Sequence, residues 1–461
     1  MNPAAQLAPR TAPHELSALA VAAKSRGISF VVVPAPVASA AAIVDAWTDR
    51  ALVAWTTSEL TLVGVGVAHE LRGRGAARWT EVIEGARALA IGEVLGGAFR
   101  PRFLGGAAFA PGTADAGPWR GFGDAWFVLP RWTYVSDGKS AQLVLAVDAE
   151  AAADQARWRD ELARFRTALG APFAPRPQPA LVERRSDTAG WHAQITAITA
   201  AIARGECSKI VAARACEVAL AGDVRPADVL ANLDARHAEC ARLLVRPPDA
   251  GTLVAATPER LVRRQGELVM CDALAGTIAR DGADGSSRPA SSGAPEAVDA
   301  IDTLLASAKD RNEHELVVRA IRAALEAADA EVTAPSEPAI RALRHVLHLH
   351  TPIRATLRQP RHVLELAARL HPTPAVGGTP TDLAVDWIVA HEPQPRGWYS
   401  APVGWFDLDG NGELAVAIRA GVLVGKCAHL YAGCGIVSGS DPDRELAETD
   451  VKLQAMLGAL R

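Results

Sequence analysis

Short apolar runs separated by glycine- and proline-rich turns recur along most of the chain from Ile28 onward. They include ISFVVV, ALVAWTT and LTLVGVGVA near the start, AQLVLAV at 141–147, and SKIVAARA around Lys209. Runs of this length that are rich in β-branched residues are typical of strands. The pattern therefore predicts a chain with many short strands.

Helical composition occupies the stretches between these runs. We expect helices near 77–90, over 148–169 and 189–204, one long helix over 295–328, and a final helix from about Pro442 to Leu460. Asp-Gly-Asn-Gly at 409–412 joins two strand-like runs, which indicates a hairpin. The Pro/Arg-rich segment 172–187 is the expected boundary between two parts of the chain. The segment 281–295 has few apolar residues, so we expect an exposed, mobile loop there.

Composition excludes several classes of protein. The chain has 461 residues, 49% hydrophobic and 22% charged, which predicts a folded protein of two or three domains on length alone. The net charge of −4 offers no basic excess for nucleic-acid binding. No apolar run reaches the roughly 18–20 residues that span a bilayer, and residues 1–13 are too polar for a signal peptide, so they are expected to form a flexible tail.

The six cysteines form no CxxC pair, and several lie in apolar runs. This favours reduced thiols in a cytoplasmic protein, with neither a zinc site nor a disulfide framework.

Two acidic pairs have helical spacing. Asp310 and Glu313 lie i, i+3 in KDRNEHELV, and Glu445 and Glu448 do so in DRELAETDVKL. If two such faces met, they would form an oxygen-rich site suited to Mg²⁺. The alternative is solvated helix charge, including a routine i, i+4 pair between Glu448 and Lys452.

Two further residues are candidate acid–base groups. Lys209 precedes an apolar strand, where partial desolvation favours the neutral amine that a general base needs; the alternative is a lysine that snorkels to solvent. Glu259 lies between apolar runs in TPERLV, where a carboxyl group can stay protonated and act as an acid. The alternative for Glu259 is an ion pair with Arg260 or Arg263.

Arg419 stands in what reads as the middle of an apolar strand, AVAIRAGVLV, and a buried arginine needs an anion, internal or bound. The glycines of AGCGIV at 432–437 indicate either a bulge or a place where a ligand approaches the backbone. His348 in VLHLHTP is expected to be a core or site-wall histidine.

Read in order, these segments resemble the chorismate-utilising enzymes, which include isochorismate, salicylate, anthranilate and aminodeoxychorismate synthases. The resemblance runs from about residue 190 to the C-terminus, through the segments SKIVAAR, ATPERLVR, LAGTIAR, KDRNEHELV, HLHTPIRA, HPTPAVGG, GWYSAPVGW, AIRAG, AGCGIV and ETDVKL. It is weaker before that, where FLGGAAFAP and the LPRW segment carry it.

The resemblance implies one large α+β unit, an antiparallel sandwich of two large sheets with helices outside, instead of separate domains. Within that unit, residues 14–187 would form the weakly matching N-terminal part and residues 188–461 the chorismate-binding catalytic region. A monomer is expected, because no exposed apolar stripe stands out, and the cysteines favour the cytoplasm. No glutaminase subunit is expected, since no tryptophan-binding LLES-like segment stands near the N-terminus.

Within the family the resemblance is to the isochorismate synthases, and it implies a role for each candidate. Lys209 would be the general base and Glu259 the general acid. Glu313 and Glu448 would bind Mg²⁺, with Asp310 and Glu445 in support. The substrate chorismate would be bound by Gly276, Thr277, His348, Ala375, Arg419, Gly433 and Lys452.

Ala375 bears on which reaction is expected. Ammonia-using and salicylate-forming relatives usually carry threonine there, whereas alanine is the pattern of isochorismate synthases; Gly377 replaces a commoner serine. The expected activity is Mg²⁺-dependent conversion of chorismate to isochorismate. The alternatives are a salicylate synthase, which goes on to eliminate pyruvate, and an inactive chorismate-binding paralogue.

Overall fold

The computed structural model describes residues 13–279, 295–344 and 346–461. Within these residues the strands are β1 Ile28–Ala35, β2 Leu52–Thr56, β3 Thr61–Val65, β4 His69–Gly73, β5 Ile91–Leu95, β6 Arg102–Ala107, β7 Ala125–Leu129, β8 Trp132–Ser136, β9 Ala141–Val147, β10 Leu181–Arg185, β11 Lys209–Leu220, β12 Ala241–Arg246, β13 Thr252–Thr257, β14 Arg260–Gln265, β15 Leu268–Ala279, β16 Ala330–Thr333, β17 Ala339–Ala342, β18 Val346–Leu357, β19 Gly378–Thr379, β20 Pro402–Asp407, β21 Gly412–Val416, β22 Ala420–Val424 and β23 Cys427–Ile436.

The helices of the same residues are α1 Pro13–Ala22, α2 Ala40–Ala46, α3 Arg78–Ala88, α4 Ala149–Ala153, α5 Gln155–Leu169, α6 Thr188–Ala203, α7 Pro226–Arg236, α8 Pro295–Ala306, α9 Ala308–Glu326, α10 Val363–Leu370, α11 Thr381–His391 and α12 Pro442–Ala459. None of them combines the length and apolarity that crossing a bilayer requires. Residues 1–12 of the expected tail and 281–294 of the expected loop lie outside the described residues.

Two large sheets form the framework. The first sheet has 13 strands in the order β10-β11-β23-β22-β13-β12-β2-β3-β8-β9-β1-β5, with β19 beside β11. The second sheet has 10 strands in the order β16-β18-β15-β14-β21-β20-β6-β7-β4, with β17 beside β18. Among the strands that the structure describes, pairing is antiparallel except between β1 and β5. The predicted α+β fold with two large, mainly antiparallel sheets is therefore confirmed.

The core lies in layers around these sheets. Large side chains from both sheets, among them Trp55, Leu104, Trp126 and Val403, are buried in one cluster between them. Helices α2, α5, α7 and α12 pack on the outer face of the first sheet. Helices α3, α9 and α10 cover the second sheet. These layers bury the apolar face of each helix and sheet against a neighbouring layer, as a stable fold requires.

Strands from residues 14–187 and from 188–461 join in both sheets. In the first sheet β12 pairs with β2, and in the second β20 pairs with β6. The division of the chain at this point stays a prediction.

One expectation about local structure was wrong, and two other segments hold more structural detail than their composition indicated. The long helix expected over 295–328 is two helices, because Ser307 caps α9 by accepting the Asp310 backbone N–H. The helix expected over 148–169 breaks at Asp154, whose side chain caps α5. The connector 172–187 contains β10, which pairs with β11 at the edge of the first sheet.

Candidate active site

A cavity of about 240 Å³ opens between the ends of β11 and β23 in the first sheet and the helices α9 and α12. Twelve of the thirteen residues singled out in the sequence line it. These are Glu259, Gly276, Thr277, Asp310, Glu313, His348, Ala375, Arg419, Gly433, Glu445, Glu448 and Lys452. The remaining residue, Lys209, lies directly behind this lining.

Lys209 is the first residue of β11, and its side chain is only 2% exposed. The alternative of a lysine that snorkels to solvent is therefore wrong. Its Nζ donates a hydrogen bond to Glu313 Oε1 at 2.7 Å. The absence of a side chain at Gly435 makes this position possible, since a Cβ there would stand 2.6 Å from Lys209 Cε. The amino group thus reaches the rim of the cavity at Glu313.

Glu259 lies where the chain crosses from β13 in the first sheet to β14 in the second. Its side chain is buried, and the pKa of its carboxyl group is raised to about 8, chiefly by burial and then by the nearby charge of Asp272. Lys209 and Arg419 offset part of this effect. The carboxyl group is therefore mostly protonated at neutral pH.

The sequence had left open an ion pair between Glu259 and a neighbouring arginine. Arg260 instead pairs with Glu413 at 2.7 Å, and Arg263 pairs with Glu59 at 2.9 Å. That alternative is wrong.

The two acidic helix faces meet in the cavity. Asp310 and Glu313 reach it from α9, and Glu445 and Glu448 reach it from α12. The pKa of Glu445 is raised by burial and by the neighbouring charge of Glu448. Burial also acts to raise the pKa of Glu313, but Lys209, Lys452 and Lys309 together outweigh burial and lower it. The arrangement concentrates carboxylate oxygens on one wall.

Lys452 belongs to this wall as well. Its Nζ donates to Glu448 Oε1 at 2.6 Å and to the Gly433 carbonyl oxygen at 2.9 Å. The i, i+4 pair expected from the sequence is formed, but it borders the cavity, and the Lys452 side chain is only 14% exposed.

Arg419 was expected inside a strand, and this was wrong. It lies in the bend between β21 in the second sheet and β22 in the first, with a backbone φ of +51°. Few non-glycine residues adopt that region, and such strain is often found at functional sites. Within the residues that the structure describes, no carboxylate forms an ion pair with Arg419, so no direct ion pair neutralises its buried charge.

His348 holds the Arg419 guanidinium in place. Arg419 Nη2 lies 3.2 Å from His348 Nε2, and a guanidinium can only donate. Nε2 therefore accepts, and the ring proton is on Nδ1, which faces Thr277 Oγ1 at 2.9 Å and the Gly276 carbonyl oxygen at 3.3 Å. Burial, reinforced by Arg419, lowers the pKa of His348 well below its ordinary value, in agreement with a neutral ring.

The glycines of the AGCGIV segment do not form a bulge. Gly433 and Gly435 pair in unbroken register with Ala213 and Val211 of β11. A Cβ at Gly433 would lie 3.2 Å from the Tyr399 hydroxyl group. The bulge in this region is instead on β15 between Ala275 and Thr277, where Gly276 has a φ of +72°. Because Gly276 and Gly433 have no side chain, their backbone faces the cavity.

Residues 24–461 match the family model described as "Chorismate binding enzyme". The chain belongs to the chorismate binding enzyme family. A salicylate biosynthesis isochorismate synthase of Pseudomonas aeruginosa is 37% identical over 429 residues, which is 91% of this chain and 87% of that protein. The isochorismate synthase MenF of Bacillus subtilis is 32% identical and is matched over 87% of this chain and 86% of its own length.

Solved structures agree with this family assignment. The menaquinone-specific isochorismate synthase MenF of Escherichia coli superimposes with a TM-score of 0.77 at 25% identity, covering 96% of this chain and all of that one. A structure described as a putative 2,3-dihydroxybenzoate-specific isochorismate synthase, DhbC of Bacillus anthracis, gives a TM-score of 0.70 at 26% identity, over 90% of this chain and 98% of that one.

Sequence reasoning missed several residues in the cavity of this chorismate binding enzyme. Arg396 is 2% exposed and joins three parts of the chain. It pairs with Glu392, which directly follows α11, at 2.6 Å, and it donates to the carbonyl oxygens of Val211 and Val376, both at 2.7 Å. Its i, i+4 spacing from Glu392 was the available signal. Tyr399 gave no signal of its own in the sequence, because only the fold brings it to Gly433.

Proposed function

We propose that this protein is an isochorismate synthase that converts chorismate to isochorismate with Mg²⁺. The observation that carries the proposal is Glu259: a buried carboxyl group with a pKa of about 8 lines the same cavity as Glu313, the hydrogen-bond partner of Lys209. Opposed acid and base groups are what this reaction needs. The names of the relatives that match over most of the chain support the same activity.

The reaction adds water at C2 of chorismate and removes the hydroxyl group at C4, so it is an isomerisation overall. In our proposal Lys209, as the neutral amine, takes the proton from the attacking water as a new C–O bond forms at C2. Glu259 gives a proton to the C4 hydroxyl group, which leaves as water while the ring double bond shifts. A positioned acid or base contributes typically about 10²–10⁴-fold to the rate.

Chorismate carries two carboxylates, and the cavity offers them separate partners. Arg419 has a buried guanidinium with His348 as its hydrogen-bond acceptor, and this leaves donors for a substrate carboxylate. Lys452 and the backbone at Gly276, Thr277 and Gly433 border the same space. Ala375 keeps the wall small and apolar near Val376, which suits the carbocyclic ring.

The acidic wall fits a divalent cation. Four carboxylates converge on it, and the raised pKa of Glu445 reflects burial together with the like charge of Glu448. Oxygen ligands of this kind suit Mg²⁺. Glu313 and Glu448 would hold the ion, with Asp310 and Glu445 in support, and the bound ion would supply charge stabilisation at a substrate carboxylate.

Pure protein incubated with chorismate and Mg²⁺, followed by chromatography of the products, tests the proposal. Isochorismate without released pyruvate is expected. Stoichiometric pyruvate together with salicylate would show that the protein is a salicylate synthase. Chorismate binding without any product would show an inactive paralogue. Action in the cytoplasm as a monomer, without a glutaminase subunit, is part of the same proposal.

A further inference from the structure

A group of side chains that could bind a metal ion lies far from the cavity, at the opposite ends of β11 and β23. Glu217 on β11 is directly opposite His429 on β23 in the antiparallel register. Cys427 precedes His429 by two residues, so its side chain is on the same face of the sheet. The sequence showed no local metal-binding spacing because Glu217 and Cys427 are 210 positions apart and only strand pairing unites them.

The donor atoms of these three residues all lie within 4.8 Å of one another. A tetrahedral Zn²⁺ with ligands about 2.0–2.3 Å away holds its ligand atoms roughly 3.3–3.6 Å apart. Side-chain movements of about an ångström would therefore close the set around an ion. The three donors are a thiol, an imidazole and a carboxylate, which are the ligand types that zinc takes.

We propose that Glu217, Cys427 and His429 form a binding site for a divalent transition-metal ion of the zinc type, with a fourth position open to water. All three side chains are partly exposed, so an ion has access, and the strand backbone holds them. The expectation of no zinc site rested only on the spacing between cysteines. It did not consider a site with one cysteine, one histidine and one carboxylate.

The charges around the site are few. Arg185 on β10 is opposite Glu217, with its Nη1 at 4.0 Å from Glu217 Oε1, but it is 67% exposed and bonds Glu183 at 2.6 Å. An exposed arginine of this kind can turn away when a cation binds. Its remaining positive charge should weaken the affinity for metal without abolishing it.

Binding would cross-link β11 and β23, the pair of strands that also carries Lys209 and Gly435. Lys209 and Glu217 are eight residues apart on β11, so the site lies about 26 Å from the active-site lysine along an extended strand. Such an ion would stabilise the folded chain without touching the substrate.

Cobalt is the sharpest probe, because a thiolate bound to Co²⁺ gives a charge-transfer absorption band that carboxylates do not. We would titrate the full-length protein with Co²⁺ in excess Mg²⁺, which by our proposed function fills the acidic wall, and then displace Co²⁺ with Zn²⁺. The matched variants are Cys427→Ala and Cys434→Ala, since Cys434 is the thiol that lines the active-site cavity. Thermal unfolding with and without Zn²⁺ supplies a second measurement.

We expect one Co²⁺ per chain with a thiolate band that is lost in C427A and kept in C434A. Glu217→Gln and His429→Gln should each weaken binding at least about tenfold, and Arg185→Gln should tighten it about two- to five-fold. Zn²⁺ should raise the Tm of the parent but not of C427A. Absence of the band in the parent, its survival in C427A, or unchanged affinity in E217Q or H429Q would overturn the proposal.

Discussion

The ε-amino group of Lys209 donates a 2.7 Å hydrogen bond to Glu313 Oε1, and both side chains are largely buried. The residue that we propose as the base is thus in direct contact with a residue that we propose as a metal ligand. The Glu313 carboxylate would therefore contact both the base and the metal ion, so a change in one should affect the other.

Replacing Lys209 with alanine should slow turnover strongly and leave substrate binding intact. We expect kcat to fall by about 10²–10⁴-fold, since a positioned base is lost, while chorismate still meets Arg419 and Lys452. Steady-state kinetics together with calorimetric binding of chorismate would measure both effects. Lys139→Ala is the control, because Lys139 is exposed and remote. A parental kcat with only a raised KM would make Lys209 a binding residue instead.

Glu313→Gln and Glu448→Gln should each raise the Mg²⁺ concentration needed for half-maximal activity by at least about tenfold, because each removes a charged oxygen ligand. Circular dichroism should remain that of the parent. Glu315→Gln is the matched control: it lies on the same helix as Glu313 but is 59% exposed and pairs with Arg319. An unchanged Mg²⁺ dependence in either E313Q or E448Q would remove that residue from the metal site.

The pKa of Glu259, about 8, predicts the alkaline side of the pH profile. If the protonated acid is required, kcat/KM should fall about tenfold per pH unit above pH 8. Asp272→Asn removes a negative charge that raises this pKa, so the fall should begin at lower pH. The exposed Glu267→Gln should leave the profile unchanged. A D272N profile that stays in place, or moves to higher pH, would contradict the assignment.

Glu259 should also make the folded state less stable as pH rises. Its pKa is about 8 in the folded chain, against an ordinary 4.5, so between these values the folded state binds more protons than the unfolded state. The free energy of unfolding therefore falls with increasing pH across this window, by up to about 5 kcal/mol. Glu259→Gln cannot ionise, so its stability relative to the parent should grow from pH 5 to pH 8.5 in denaturant titrations. An equal difference at both pH values would show that Glu259 does not titrate in this window.

His348 should act on substrate affinity through Arg419. His348→Ala removes the acceptor at 3.2 Å from the Arg419 guanidinium, and we expect KM to rise about tenfold or more while kcat changes less. His348→Gln provides an amide oxygen that can accept the same bond, and it should recover part of the affinity. If H348A and H348Q bound chorismate like the parent, Arg419 would not depend on this contact.

The sequence alone predicted those features that depend on residues close together along the chain. The i, i+3 spacing of Asp310 with Glu313 and of Glu445 with Glu448 placed each pair on one helix face, as the structure has it. Short apolar runs predicted the strands, and the order of short segments predicted the family. The position of Lys209 at the start of β11 was also readable, because an apolar strand follows it directly.

What tertiary structure alone decided is which of these residues meet and in what state. Lys209 reaches Glu313 across 104 positions, because β11 and α9 converge and Gly435 leaves room for the side chain. Glu259 and Arg419 lie on neighbouring crossovers between the two sheets, joined where Val416 N–H donates to the Glu259 carbonyl oxygen and Ala256 N–H donates to that of Arg419. Burial, charge proximity and hydrogen-bond geometry depend on distances in space, whereas a sequence specifies only distances along the chain. The raised pKa of Glu259, the tautomer of His348 and the grouping of Glu217 with Cys427 and His429 therefore follow from the fold.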